Sequence, residues 1–167
     1  LLINEALPDD MRDYKRTLDK HGLSDLLAEV ADKHPEKYRD ISFQLGQVGQ
    51  EAAFTTGGNS FGLKDMRRAK VATIRRKQMR SIIAAILNDD SLTDEQRDEK
   101  LILATGDIME KEREEVFEES MAENNQLAIQ LKGAGRGNKM NLSSLRASDG
   151  LYADHRDKVI PIPVLRS

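Results

Sequence analysis

Two oppositely charged segments, separated by a short polar break, constrain the fold of this chain most strongly. Residues 64–80 hold eight Lys and Arg side chains against a single acid, Asp65. Residues 107–123 hold eight acids against Lys111 and Arg113. Both segments also carry apolar side chains at helical spacing. We therefore expect two long antiparallel helices, because that arrangement places the opposite charges alongside each other and fixes the register of the pair.

Local signals set the bounds of this predicted hairpin. The first helix is expected to run from Leu63 to about Leu87, which at 1.5 Å per residue is about 37 Å. A polar connection follows, and Thr93 and Gln96 then fit a capping box that opens the second helix, expected to end near Glu123. The side chains predicted to face inward are Met66, Ile74, Ile82 and Ile86 on the first helix and Leu101, Ile108, Val116 and Phe117 on the second.

The segments on either side of the hairpin predict less regular structure. In residues 1–62 we expect three short helices, the first opened by Pro8 and ended by Gly22, the second capped by Ser24, and the third begun by Pro35. Residues 54–62 are rich in turn formers and predict a break. In residues 124–167, the alternation at 127–131 fits a short strand or a helix tail, residues 141–145 fit one helical turn, and two prolines keep the tail extended. The fold class is mainly α.

A glycine-rich loop follows the hairpin and is the strongest candidate for a functional segment. Residues 132–142 combine three glycines with Arg136 and Lys139. Glycine reaches positive φ without steric cost, so such a loop turns tightly or approaches another group closely. The phosphate-binding P-loop is excluded because the spacing before Lys139 is wrong and Met140 stands where Ser or Thr is needed. From the residues alone, a tight backbone turn remains the simpler interpretation.

Composition excludes several other classes of function. The chain has no cysteine, so disulfides and thiolate metal sites are impossible, and its three histidines are scattered. The longest apolar runs are too short to span a bilayer. The formal net charge of -3 argues against a free-standing nucleic-acid binder, and we expect the basic stretch 67–80 to pair internally because no aromatic residues interleave it. We predict neither catalytic residues nor a metal site in this chain.

Several stretches, in the same order and spacing, resemble one family. Ile3–Pro8 resembles the "FNEALP" end of the pore region in the β′ subunit of multisubunit DNA-directed RNA polymerases. Ser60–Met66 resembles its "SFGIDDM" segment, and Asn125–Leu145 resembles "NPV…SGARGSK.QI.QL", the F-loop region. Gly150–Leu151 and Ile160–Ile162 echo the "RGL…TPI" tail. Together they cover nearly the whole chain, which also reads as a piece of a larger protein.

The resemblance implies a division into three parts. Residues 1–62 would be the end of the pore region with short helices, residues 63–123 the rim helices of the secondary channel, and residues 124–167 an F-loop-like segment with an extended tail. The family holds its catalytic Mg²⁺ in "NADFDGD", which this chain lacks. The segment should therefore be inactive alone, with Mg²⁺ supplied elsewhere in the complete nucleotidyltransferase.

The resemblance also implies partners and site residues. Other polymerase subunits, template DNA, RNA and nucleoside triphosphates would be the partners in a cytoplasmic enzyme, without a membrane. The hairpin tip would dock secondary-channel factors through Asn88, Asp89, Asp90 and Asp94. The F-loop-like residues supporting the bridge helix and trigger loop would be Gly133, Gly135, Arg136, Gly137, Lys139 and Asn141, with Arg136 and Lys139 bonding neighbouring segments or approaching the nucleotide.

This sequence departs from the family pattern at several positions. Ala134 and Gly135 exchange the usual glycine and alanine, Gln126 replaces proline, and Ser144 replaces glutamine. Residues 147–150 replace "GMRG". From this drift we expect a divergent polymerase of bacteriophage type. The alternative is a free-standing helical-hairpin adaptor without a catalytic role, whose glycine loop and tail dock on a protein partner.

Overall fold

The computed structural model describes residues 2–57, 60–135 and 137–166, and the chain is mainly α-helical. Its α-helices are α1 (Leu2–Glu5), α2 (Lys20–Lys33), α3 (Tyr38–Thr56), α4 (Lys70–Leu87), α5 (Asp94–Ala122), α6 (Gln126–Lys132) and α7 (Lys139–Arg146). Short 3-10 helices occur at Asp9–Met11, Pro35–Lys37 and Leu63–Met66. The chain divides into two compact units, one formed by Leu1–Ser60 with Lys132–Arg136, the other by Phe61–Leu131 with Gly137–Ser167.

The first unit is organised around a small core between α2 and α3. Leu26, Val30 and Ile41 are buried there with Leu7 and Met11. The start of α2 differs from the sequence-based expectation, because the helix runs through Gly22 instead of ending there. Asp19 is the cap, and its Oδ1 accepts a hydrogen bond from the Gly22 N–H at 2.7 Å. A side-chain acceptor for the first-turn amides outweighs the weak helix propensity of one glycine.

Helix α3 begins after the Pro35–Lys37 turn, which confirms the predicted start, but it continues beyond the expected break at residue 54. It ends at Thr56, where Gly57 adopts a φ of 77° and closes the helix in the left-handed conformation. Gly58 and Asn59, also part of the predicted break, lie outside the described residues.

The second unit contains the predicted antiparallel hairpin, formed by α4 and α5. The N–H groups of Lys70 and Val71, at the start of α4, donate to the Glu119 carboxylate near the end of α5 at 2.7 and 3.0 Å. The capping box is confirmed, because Thr93 and Gln96 exchange hydrogen bonds at 3.1 and 3.3 Å. Helix α5 has 29 residues and is about 43 Å long.

Helix α4 starts seven residues later than expected. Leu63–Met66 is a separate 3-10 helix, in which the Asp65 carboxylate accepts from the Gly62 N–H at 2.9 Å. Arg67 is then extended, and Ala69 N–H donates to Arg146 O at 2.9 Å, outside any helical ladder. Tertiary hydrogen bonds therefore replace the first turns of the predicted helix. With 18 residues, α4 is about 27 Å long instead of 37 Å.

The predicted apolar stripes were right on α5 and partly wrong on α4. Leu101, Ile108 and Val116 are buried, whereas Ile74 is 65% exposed. On α4 the buried side chains are Ala72 and Met79. Ala72 and Met79 are seven residues apart and share one face of α4, whereas Ile74 is two residues from Ala72 and projects from a different face.

The last part of the chain packs onto the hairpin. The segment that fitted either a strand or a helix tail is helix α6, and Asn138 caps α7 through its side chain. The tail has two isolated antiparallel bridges, Gly150 with Val164 and Ala153 with Val159. Leu151 and Leu165 pack against the α4–α5 core. Among the described residues, no helix combines the length and apolar character needed to cross a membrane.

Candidate functional site

The glycine loop turns through positive φ, as its composition predicts, although one of the positions is an alanine. Gly137 has a φ of 78°, and Ala134 has a φ of 53°. Ala134 is the position where the family pattern carries glycine, so here a Cβ occupies the left-handed region. The Gly133 carbonyl accepts from the Lys20 N–H at 3.3 Å. Gly133 and Gly135 are exposed, and Arg136 lies outside the described residues.

Lys139, one of the predicted loop cations, is bound to α5. Its Nζ contacts a carboxylate oxygen of Glu114 and lies 5.0 Å from the centre of the Phe117 ring. Asn141 contributes its backbone N–H to the Asn138 cap at 2.8 Å, while its side chain is exposed. Lys139 therefore forms an ion pair within the chain, and the roles expected of it in a polymerase stay predictions. The end of the loop is thereby fixed to the long helix.

Arg146 holds the other end of α7 and was missed at the sequence level. Its side chain is 2% exposed and donates to three groups. Nε bonds the Arg67 carbonyl at 2.9 Å, Nη2 bonds the Glu123 carboxylate at 2.7 Å, and Nη1 bonds the Ser120 hydroxyl. Arg146 lies seven residues after Lys139, and this spacing puts both cations on the same face of a helix. That is the one signal in the sequence that could have placed Arg146 beside α5.

Two motifs that are far apart in sequence meet at Asp65 and Asn125. The Asn125 amide donates to the Asp65 carbonyl at 2.8 Å, and the Asp65 carboxylate accepts from the Gln126 N–H at 3.2 Å. Hydrogen bonds from the Gly62 and Gln126 N–H groups lower the pKa of Asp65 despite its burial. The segment that enters the hairpin and the segment that leaves it are therefore joined at the hairpin's base.

Residues 147–150, where the sequence departs from the family, make close contacts with α5. The Ser148 hydroxyl donates to the Glu112 carboxylate at 2.6 Å. Burial raises the pKa of Glu112, which is 2% exposed. Gly150 has a φ of 82°, and a Cβ built on it would stand 1.5 Å from Cε of Met109. These two contacts seat the start of the tail on the hairpin.

The hairpin tip uses one of its acids internally and exposes the rest. Asp89 Oδ1 accepts from Ser91 N at 3.1 Å and from its hydroxyl, and these bonds lower the pKa of Asp89. Asp94 pairs with Arg97 at 2.8 Å, yet its side chain is 98% exposed. Asn88 and Asp90 are exposed. Within the described ranges, no group of three His, Cys, Asp or Glu is placed to hold a metal ion.

The predicted charge pairing within the hairpin is partly wrong. Arg75 does pair with Glu115 across the two helices, and this hydrogen bond raises the pKa of Arg75 and lowers that of Glu115. Glu114 and Glu123, however, are bound by cations of α7, as described above. Helix α7 packs on the acidic part of α5 and competes there with α4. Some basic side chains of α4 therefore have no acidic partner on α5 among the described residues.

Comparison with known proteins agrees with the resemblance. No protein-family profile matches the chain. It is 25% identical over 171 residues to "DNA-directed RNA polymerase subunit beta'" of Petrotoga mobilis, covering 98% of this chain and 10% of that protein. The same subunit of Thermosipho africanus is 27% identical over 99% of the chain, and that of a Hydrogenobaculum species is 29% identical over 98%.

The chain spans about a tenth of the length of these curated relatives, 10% to 12% in the three cases. The recognition of the chain as similar to a β′ segment over nearly its whole length is confirmed. The relatives named here are bacterial and give no support to a bacteriophage origin, which stays a prediction.

Proposed function

We propose that this β′-type segment is a structural part of a DNA-directed RNA polymerase, in which α4 and α5 form the rim of the secondary channel. The observation that carries the proposal is the match to β′ subunits over 98% or more of the chain in all three relatives described. The contact between Asp65 and Asn125 supports it, because it joins two of the stretches that carry the resemblance. An adaptor unrelated to polymerases has no such observation in its favour.

Catalysis would belong to other parts of the enzyme. The aspartate motif that binds the metal in the resembled family does not occur in this sequence. Under this proposal Mg²⁺, template DNA, RNA and nucleoside triphosphates are bound elsewhere in the polymerase. This segment contributes a rigid wall and a positioned loop in a cytoplasmic enzyme.

The glycine loop would support the moving parts of the active centre. Its far end is anchored to α5 through Lys139 and Arg146. Its middle residues, Gly135 and Gly137, are exposed and available to pack against another segment. A supporting loop needs one fixed end and an accessible middle. If the end were loose, the loop could not hold the segment that packs on it in place.

Elongation by the assembled polymerase tests the role of the loop. Arg136→Ala should slow nucleotide addition at saturating substrate, and Gly137→Val should do the same because a β-branched residue is strained at positive φ. Arg39→Ala, an exposed arginine on α3, is the matched control and should leave the rate unchanged. Normal elongation by both loop variants would overturn this assignment.

Factor binding tests the hairpin tip separately. The double substitution Asp90→Lys and Asp94→Lys reverses two exposed charges, and Asp94 lies outside the Thr93–Gln96 capping bonds. We expect it to abolish factor-stimulated RNA cleavage while factor-free elongation stays normal. Asp25→Lys with Asp32→Lys, on exposed positions of α2, makes the same charge change away from the hairpin. Equal factor response in both double variants would reject the tip as the docking surface.

A further inference from the structure

Three arginines of the second unit have no internal partner in the described part of the chain, and two of them, Arg76 and Arg80, belong to the basic stretch that was expected to pair internally. Arg76, Arg80 and Arg166 form no hydrogen bond or ion pair with any other residue that the structure describes. Arg75, the residue before Arg76, pairs with the Glu115 carboxylate. Lys139 and Arg146 of α7 pair with Glu114 and Glu123. Three of the eight acids in residues 107–123 are therefore bound by cations other than these three arginines.

The fold brings these arginines together. Arg76 and Arg80 are four residues apart on α4, so they project from the same face with Cβ atoms about 6 Å apart. Leu165 packs on the cluster formed by Met79, Ile108 and Met109, which places Arg166 beside the same helix. Burial and the guanidinium groups of Arg68, Arg80 and Arg166 lower the pKa of Arg76. Like charges held this close repel each other, which favours binding of an anion.

We propose that Arg76, Arg80 and Arg166 form a binding surface for phosphate groups, which we call the arginine face. Guanidinium groups present a planar fork of donors that matches phosphate oxygens in pairs. No aromatic side chain occurs between Lys64 and Leu87, so the bases of a nucleic acid would not stack there. Contact would be to the backbone phosphates, independent of sequence and sensitive to salt.

The choice of phosphate over an acidic protein rests on the proposed polymerase role, since such an enzyme handles both single-stranded RNA and nucleoside triphosphates. Both ligands carry the same oxyanion chemistry. Binding by the chain itself can be measured without elongation, so failure of the elongation test would leave a positive binding result intact. Conversely, loss of the arginine face would not remove the similarity to β′ subunits.

Fluorescence anisotropy with a labelled oligouridylate tests the proposal on the whole chain over a range of salt concentrations. Arg76→Gln with Arg80→Gln should weaken binding, and should reduce the slope of log K against log salt by about 1.4, which is about 0.7 for each phosphate that an arginine no longer neutralises. Arg39→Gln with Arg156→Gln removes two exposed arginines elsewhere and should leave both quantities unchanged. Circular dichroism checks that both double variants keep their helices.

Competition identifies the source of the phosphate. Displacement of the oligonucleotide by low concentrations of inorganic tripolyphosphate would indicate a nucleotide-type ligand, and displacement only by unlabelled RNA would indicate a strand; either supports the arginine face. Displacement by poly-glutamate as effective as by RNA of equal charge would overturn the proposal in favour of an acidic protein partner. Equal binding by the arginine-face variant and the control variant would overturn it entirely.

Discussion

The close approach of the tail to the hairpin at Gly150 gives the sharpest test of the packing. Gly150→Ala would place a Cβ 1.5 Å from Cε and 2.5 Å from Sδ of Met109. Met109 is 6% exposed and packed with Met79 and Ile108. Its end is flexible, but it has little room to move. The substitution also puts a side chain at a φ of 82°, where L-residues are strained.

The expected decrease in the free energy of unfolding is the sum of the backbone strain and the steric clash. It is partly offset because alanine lowers the conformational entropy of the unfolded chain. A left-handed alanine costs about 1–2 kcal/mol, and overpacking a filled core costs about 1–3 kcal/mol. Replacing glycine restricts the unfolded chain and returns about 0.5–1 kcal/mol. Gly150→Ala should therefore lower the free energy of unfolding by about 3 kcal/mol, with most of the effect in the second unit.

Urea unfolding followed by circular dichroism measures this change, and hydrogen exchange of the α5 amides locates it. Gly106→Ala, in the middle of α5 with nothing within 4 Å of its added Cβ, is the control and should stabilise the helix by up to about 1 kcal/mol. In a Met109→Ala background, Gly150→Ala should cost only about 0.5–1 kcal/mol, because the clash is gone and only the backbone strain, less the gain in the unfolded state, remains. An equal cost in both backgrounds would refute the steric clash with Met109.

Three further substitutions test separate parts of the structure. Arg146→Met should lower the free energy of unfolding by about 2–4 kcal/mol in urea melts, because it leaves buried acceptors unpaired; a decrease below about 0.5 kcal/mol would contradict this role. Ala134→Gly should raise stability by about 0.5 kcal/mol, since relief of the left-handed strain exceeds the entropy cost of glycine, and a lower urea midpoint would disprove the strain. Burial raises the pKa of Glu112 in the folded state. Its contribution to the free energy of unfolding is therefore fully present below the pKa of the unfolded chain, where the carboxyl is neutral. That contribution is lost as the pH rises through the folded pKa. The stability of Glu112→Gln relative to the native chain should therefore rise from about pH 4 to pH 7, and a constant difference would contradict it.

Features with a local cause could be predicted from the sequence. The second helix of the hairpin begins where Thr93 and Gln96 form their reciprocal cap, because a capping box uses atoms only three residues apart. The left-handed turn at Gly137 likewise follows from the residue's own freedom. Neither feature needs a distant part of the chain.

Features that depend on competition between distant groups could not be predicted. The start of α4 moved to Lys70 because Asp65 and Ala69 are held by residues 60 or more positions away. The acids of α5 form ion pairs with two cations of α7 as well as with Arg75 of α4. A charge pattern states which pairs are possible, but not which cation lies nearest in the folded chain.

The sequence by itself determined a mainly helical chain with an antiparallel hairpin and a similarity to β′ subunits, since periodicity, caps and motif order are written along the chain. Tertiary structure alone decided the burial of Arg146, the fit of Gly150 against Met109, and which arginines of α4 find an acid. The physical reason is that burial and charge neutralisation depend on three-dimensional neighbours. Helix α7, tens of residues away in sequence, took the acids that α4 was expected to use.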